Sequence, residues 1–491
     1  MAGSTRVSRS KVQKIGLFLG PLLALFLWQL PLPVGMTIGA WHTIAIVLWL
    51  GCWWSTEAIP IPAASLLPII MLPLADITTT AEATLPYAKP VIFLLLGGFI
   101  AAMAMQKWQL HRRIALNILA RVGEHPAHLI AGFMAACALL SMWISNTATT
   151  LMIVPIALTV AQTIVGNEQS IRRFTIALLI GCAWASSIGG LGTIIGTPPN
   201  VFVVDFIANS LDREISFGQW MLFAVPIVCV MVPAAWLVLT KIAFPFKGDS
   251  IRGGQDVVQA ELAALGPITT PEKRVAYVMG AMAFFWSFRG LLVEIDFLTE
   301  TLPFLVKLKD THIAVAGALA MFLVPAGDKI KTSSLLDWET ATKLPWGVLL
   351  LFGGGMSLAA AIQSTGLAIW LGQSMSVLAA APLILIILSI VLLVIFLTEL
   401  TSNTATTAAL VPVLGALATT AGIDPIMLAA PTAMAASCAF MLPVATGPNA
   451  VVFSTGEITV PDMVRSGIWL NILGTVIVTG LCYLLLPLVF G

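Results

Sequence analysis

The stretch that decides the fold is Ser145-Asn146-Thr147-Ala148-Thr149-Thr150, which recurs unchanged as Ser402-Asn403-Thr404-Ala405-Thr406-Thr407. Both copies interrupt long apolar runs, 127–163 and 379–420. Moving outward at the same offset, Gly97-Gly98 pairs with Gly354-Gly355, Gln106 with Gln363, Leu140 with Leu397, Ser141 with Thr398, Val154 with Val411 and Pro155 with Pro412. Chance apolar similarity supplies Leu and Ala matches, but not an identical polar hexapeptide followed by Pro at one spacing. The chain is a duplication. After a short gap, Thr197-Pro198-Pro199-Asn200 falls beside Thr446-Gly447-Pro448-Asn449, so each half has a polar tip followed by a span broken at Gly, Pro and Asn.

The medium around these motifs is lipid. Of 491 residues 59% are hydrophobic and only 10% charged, against about 25% charged in a soluble domain. Apolar stretches long enough to cross a core of about 30 Å recur from Ile15 onward. Spans are expected near 15–32, 37–54, 57–75, 88–105, 174–207, 218–240, 275–295, 311–326, 344–362, 425–455 and 468–490. The first reads as a retained helix, because no small-residue cleavage site follows it. The two motif-bearing stretches read as re-entrant hairpins. With about eleven crossings and a cytoplasmic N-terminus, all but Lys89, Arg213, Arg289, Lys307 and Lys309 of the 24 Lys and Arg fall on or facing the cytoplasmic side. The C-terminus is then outside and the two halves are inverted.

The expectation is an all-α polytopic membrane protein with two inverted repeats, two re-entrant hairpins and two broken helices. Residues 1–35 form the tail and first helix, 36–245 the first repeat with hairpin 127–163, 246–274 a cytoplasmic linker, and 275–491 the second repeat with hairpin 379–420. The basic segment Lys107–Val122 reads as a helix lying along the interface. His111, His125 and His128 there are expected to be solvated, and His42 and His312 to pack near span starts. The net charge of +1 names no partner, and none is expected among nucleic acids. The six cysteines lie singly in apolar stretches and read as packing residues.

Helices broken inside a membrane expose N–H and C=O groups, which are tolerated where they line a cavity or meet a ligand. At Ser145-Asn146-Thr147 and Ser402-Asn403-Thr404, hydroxyls and amides stand where a new helix begins, and helix starts attract anions. An ordinary helix cap explains one such motif, but a duplicate at mid-membrane points to paired half-sites for a ligand with two negative ends. None of the motifs holds Lys or Arg, so the counter-charge must come from solution. Ser141, Ser145 and Asn146 in one half, Thr398 and Asn403 in the other, and the carbonyls of the breaks offer neutral oxygen cages suited to Na⁺. Glu399, matched by Met142, is a candidate either for function or for satisfying its own hairpin. Glu57 at a span start reads as structural. No HExxH, GxSxG or P-loop appears, so no enzyme is expected.

Taken in order, Thr56-Glu57-Ala58-Ile59-Pro60, the Ile188–Asn200 run IGGLGTIIGTPPN, the Thr398–Thr407 run TELTSNTATT and the Met441–Asn449 run MLPVATGPN resemble the divalent-anion/sodium symporter family, the INDY-like di- and tricarboxylate transporters. The likeness runs from Ile15 to the C-terminus. It implies a homodimer working as an elevator, with Ser141, Ser145, Asn146 and the region Gly192 to Gly196 holding one Na⁺ and Thr398, Asn403 and the region around Ala445 another. It implies substrate contacts from Asn146, Thr147, Asn403 and Thr404, with Pro199 and Thr446 of the breaks beside them. One departure is Gly447, where many relatives have Pro.

The expected activity is Na⁺-coupled uptake of a C4-dicarboxylate such as succinate, malate or fumarate. The alternatives are a Na⁺-independent dicarboxylate exchanger and a Na⁺/sulfate symporter. Moving a dianion inward costs about 2.3 kcal/mol per charge per 100 mV, so two Na⁺ reach neutrality and a third makes uptake electrogenic. The compact loops suit a bacterial inner membrane.

Overall fold

The computed structural model describes residues 9–123, 125–246, 254–327, 334–374 and 381–491. Among them the secondary structure is helical, with one isolated bridge between Pro325 and Ser334 and no strand. Backbone groups in lipid must all be paired, and apolar runs of this length do so within a helix. Eight helices of the described residues are long and apolar enough to cross a membrane: Lys11–Gln29, Ile38–Thr56, Thr80–Lys107, Glu168–Gly190, Phe217–Ala243, Thr270–Val293, Trp346–Ser364 and Val460–Phe490.

The other expected spans fold as shorter pieces. Residues 57–75 become Ile61–Ala64 and Leu67–Leu74, 311–326 becomes Asp310–Leu323, and 425–455 becomes Ile426–Ala436 and Gly447–Phe453. The first of these breaks shows how such an interruption is made tolerable. The Ser65 hydroxyl donates to Ile61 O, and the freed Ser65 carbonyl accepts from the Tyr87 hydroxyl at 2.5 Å.

The chain divides into two compact units. One comprises Met1–Ile92, Pro345–Pro382 and Thr404–Ala429, and the other Phe93–Leu344, Leu383–Asn403 and Ala430–Gly491. Within the first, Trp41 Nε1 donates to Leu27 O at 2.8 Å, Thr37 Oγ1 to Thr365 O at 2.8 Å and Ser357 Oγ to Ala83 O at 2.9 Å. The second contains both breaks, and both tips as far as Asn403.

The repeat is visible as matched elements. In the first half, α1 (Pro126–Ser141) and α2 (Asn146–Thr163) have 16 and 18 residues. They are followed by α3 (Glu168–Gly190) and, after the break 191–197, α4 (Pro198–Leu211). In the second half, α5 (Leu383–Thr398) and α6 (Asn403–Thr420) again have 16 and 18 residues. They are followed by α7 (Ile426–Ala436) and, after the break 437–446, α8 (Gly447–Phe453), with α9 (Val460–Phe490) closing the chain. Helix α3 is the core of its unit: every residue from Phe174 to Gly190 is buried, Trp184 completely.

The basic segment is a shorter helix than expected, Leu110–Leu119, and it packs onto protein. Leu110, Ala115, Leu116 and Leu119 are buried, Arg112 pairs with Glu261, and Arg113 Nε lies 2.8 Å from Glu272. His111 is a correction: it is 6% exposed, with Nδ1 3.1 Å from Met105 O, and burial holds its pKa below the usual imidazole range. It lies on the apolar face of this helix, which is turned into the protein. His125 and His128 are exposed, His42 is half-buried, and His312 accepts from Lys309 N at the start of Asp310–Leu323. Glu57 ends Ile38–Thr56 in a left-handed conformation, φ 47°, which is a local structural role.

Candidate functional site

The first tip turns through Met142–Ser145. Ser145 caps α2, its hydroxyl accepting from Ala148 N at 3.3 Å. Ser141, completely buried at the end of α1, places its hydroxyl 2.6 Å from Asn146 Oδ1 and 2.5 Å from the carbonyl of Ser186 on α3. A hydroxyl has one proton and cannot donate to both. Four oxygens meet here, because the same amide atom of Asn146 also lies 3.2 Å from Gly196 O. Two arrangements satisfy them: the amide turned so that its two N–H groups donate to Ser141 Oγ and Gly196 O while the Ser141 hydroxyl donates to Ser186 O, or a small cation shared among the oxygens. Glycine makes the approach possible, since a Cβ on Gly190 would lie 2.9 Å from Asn146 Nδ2.

The second tip repeats this geometry. Thr398 Oγ1 lies 2.8 Å from Asn403 Oδ1 and 2.9 Å from the carbonyl of Ala436 at the end of α7. Hydroxyl and amide are five residues apart in both halves, and each carbonyl comes from the end of the first helix segment or from one turn before it. The set contains no ionisable group, and no cluster of three or more His, Cys, Asp or Glu occurs among the described residues. Neutral hydroxyl, amide and carbonyl oxygens fit a hard monovalent cation rather than a transition metal.

Both breaks are held by asparagine. Asn200 Nδ2 reaches back to Gly190 O at 3.1 Å, Leu191 O at 3.1 Å and Thr193 O at 2.8 Å. Asn449 Nδ2 reaches Ala439 O at 3.2 Å and Leu442 O at 3.0 Å. In each half the accepting carbonyls include those ten and seven residues upstream. The final Asn of each motif therefore collects carbonyls that the interrupted helix leaves free.

Glu399 has a structural task. It is 3% exposed, and its carboxylate accepts from Phe440 N at 2.7 Å, Met441 N at 2.9 Å and Leu442 N at 3.0 Å, and from Asn471 Nδ2 of α9 at 2.8 Å. At the matching place in the first half, the Met142 backbone carbonyl accepts from Thr193 Oγ1 at 2.5 Å.

The breaks adjoin one another: Trp184 Nε1 donates to Phe440 O at 3.1 Å, and the Thr197 and Ser437 hydroxyls are 3.4 Å apart. The first tip also meets the second break, because a Cβ on Gly447 would lie 3.1 Å from Thr147 Cβ. Of the residues read from sequence, the structure thus brings together Ser141, Asn146 and Gly196, and separately Thr398 and Asn403. Gly192 sits instead against Met142, where a Cβ would lie 2.8 Å from Met142 Cε. Ser145 and Thr446 act as caps, Thr446 Oγ1 accepting from Asn449 N at 3.2 Å. Pro199 is buried in the first turn of α4 and Ala445 lies buried just before α8, while Thr404 opens the segment grouped with the first unit. Sequence reasoning missed the Ser186 and Ala436 carbonyls, which no side chain announces. It marked Asn200 and Asn449 as part of the breaks but gave them no task.

An all-α, apolar chain with duplicated interrupted helices and neutral oxygen clusters is a polytopic membrane transporter. The chain belongs to the family described as the sodium:sulfate symporter transmembrane region, whose model matches residues 11–489. It is 41% identical over 487 residues to the sodium-dependent dicarboxylate transporter SdcS of Staphylococcus saprophyticus, covering 98% of this chain and 92% of that one. It is 40% identical over 485 residues to SdcS of Staphylococcus aureus strain MRSA252, with the same coverage. In fold it resembles the crystal structure of the Alcanivorax borkumensis YdaH transporter, with a TM-score of 0.57 at 15% identity over 92% of this chain and 99% of that one.

Proposed function

We propose that this protein is a Na⁺-coupled symporter of C4-dicarboxylates such as succinate, malate or fumarate. The observation that carries the reading is the matched pair of oxygen clusters, Ser141–Asn146–Ser186 O and Thr398–Asn403–Ala436 O, one in each half. Each cluster holds one Na⁺, with Gly196 O completing the first and the stretch around Ala445 contributing to the second. Asn146 and Thr147 on one tip and Asn403 and Thr404 on the other take the two carboxylates, next to the first-turn residues Pro199 and Thr446. The bound cations supply the positive charge that the motifs lack, so that the dianion binds well only after Na⁺. Names of the 40–41% identical relatives support both the ion and the substrate class.

The tips enter the bilayer as re-entrant hairpins within inverted repeats of about 36–245 and 275–491, joined by the linker 246–274. The transporter works as an elevator-type homodimer, with its N-terminus in the cytoplasm of a bacterial inner membrane and its C-terminus outside. Uptake of labelled succinate into proteoliposomes, with and without an inward Na⁺ gradient, tests the coupling. Accumulation only with Na⁺ is expected; equal uptake without it overturns the reading in favour of an exchanger. The family's description gives sulfate a specific claim as a second substrate, and excess sulfate that abolishes succinate uptake would establish it.

A further inference from the structure

The halves differ at the first residue of the helix after each break: Pro198 opens α4 and Gly447 opens α8. Backbone conformation does not call for glycine at 447, which is not among the positive-φ residues. Space does. A Cβ at 447 would overlap the hydroxyl oxygen of Thr147, and would stand 3.1 Å from its Cβ and 3.2 Å from its Cγ2.

Thr147 cannot easily retreat. It lies in the first turn of α2, whose start is capped by Ser145, and its neighbour Asn146 is wedged against Gly190. Its hydroxyl has no hydrogen-bond partner among the described residues, so free space rather than an internal bond sets its direction. Threonine in a helix has two populated χ1 wells. A side chain at 447 would therefore turn the hydroxyl away before it moved the backbone.

We infer that Gly447 is a positioning residue for the anion: lacking a Cβ, it leaves the volume that the Thr147 hydroxyl occupies, and so fixes the direction from which that hydroxyl meets a carboxylate. The inference rests on the reading of Thr147 as a substrate ligand. It also explains why the two half-sites, built on the same hexapeptide, need not present their threonines alike.

A double-mutant cycle tests it, with KM for succinate measured in proteoliposomes at saturating Na⁺ alongside the Na⁺ concentration for half-maximal uptake. Gly447→Ala is expected to raise KM about tenfold, the loss of one hydrogen bond to a charged group, without changing the Na⁺ dependence. Thr147→Ala is expected to raise KM similarly, and the double variant to be no worse than Thr147→Ala, since nothing remains to be displaced. Losses that multiply in the double variant, or Gly447→Ala at the wild-type KM, overturn the inference and leave the role of Thr147 standing. Thr147→Ala at the wild-type KM removes that role and the inference with it. If Gly447→Ala fails to assemble, rescue of assembly by Thr147→Ala supports the overlap with that side chain, and failure of both overturns it.

Discussion

The two breaks solve one problem in two ways. Both interrupt a helix in an apolar protein, and both return the freed carbonyls to an asparagine, Asn200 or Asn449. The N–H groups are treated differently. Both breaks make short turns, Leu191 N to Ile188 O, Gly192 N to Gly189 O and Gly196 N to Thr193 O in the first, and Ser437 N to Met434 O, Cys438 N to Ala435 O and Ala445 N to Leu442 O in the second. Only the first is glycine-rich, with Gly192 and Gly196 inside it and Gly189 and Gly190 at the helix end before it. The second break, 437–446, contains no glycine. Its three successive N–H groups at 440–442 are collected by the Glu399 carboxylate, itself tied to Asn471. The second break thus adds a buried carboxylate to the turns that both share, where the first is built on glycine, while the hydroxyl–amide–carbonyl clusters stay alike. What duplication preserved is the oxygen geometry, and what diverged is the scaffolding around it.

The largest expected effect tests the likeness. Asn146→Ala and Asn403→Ala should each lower succinate uptake by about a hundredfold or more, because each removes an oxygen ligand from a buried cluster. Monodisperse protein by size-exclusion chromatography would show that the fold survives. Full transport in either variant would break the equivalence of the two tips.

The next tests the difference. Glu399→Met copies the first half into the second and strands three backbone N–H groups, each a loss of about 1–3 kcal/mol when buried. A marked fall in apparent Tm is expected, larger than for Glu399→Gln, which keeps one acceptor oxygen. Unchanged Tm in Glu399→Met would mean that the N–H groups of 440–442 find other acceptors.

The smallest sharpens the comparison ion by ion. Ser141→Ala and Thr398→Ala should each raise the Na⁺ concentration for half-maximal uptake about tenfold, the value of one ligand, whereas Ser141→Thr and Thr398→Ser should stay near wild type. A shift in only one of the two alanine variants would assign the coupling ion to that half alone.

Much of this was legible in sequence because the motifs are polar in an apolar background. A hydroxyl or amide at mid-membrane must have a partner, so Ser141, Asn146, Thr398 and Asn403 stood out. The paired 16- and 18-residue helices around each tip follow from the same repeat. Segments punctuated by Pro and Ser were read too long, as at 57–75, where Ser65 and Tyr87 make a break bearable that hydropathy averages over. His111 was misplaced because its helix, read as lying at the interface, turns its apolar face into protein, which a count of charges does not register.

The Ser145–Thr150 hexapeptide and its copy determined by themselves that the chain is duplicated, that each half carries a polar tip, and which side chains stand there, since these depend only on residue identity and spacing. Tertiary structure alone decided which carbonyls join them. Ser186 and Ala436 contribute backbone atoms, which every residue possesses, and only folding selects which of them face the tip. It also decided that Glu399 braces a break, and that Gly447 makes room for a threonine from the other half. Both are contacts between residues far apart in the chain, where sequence spacing carries no record of distance.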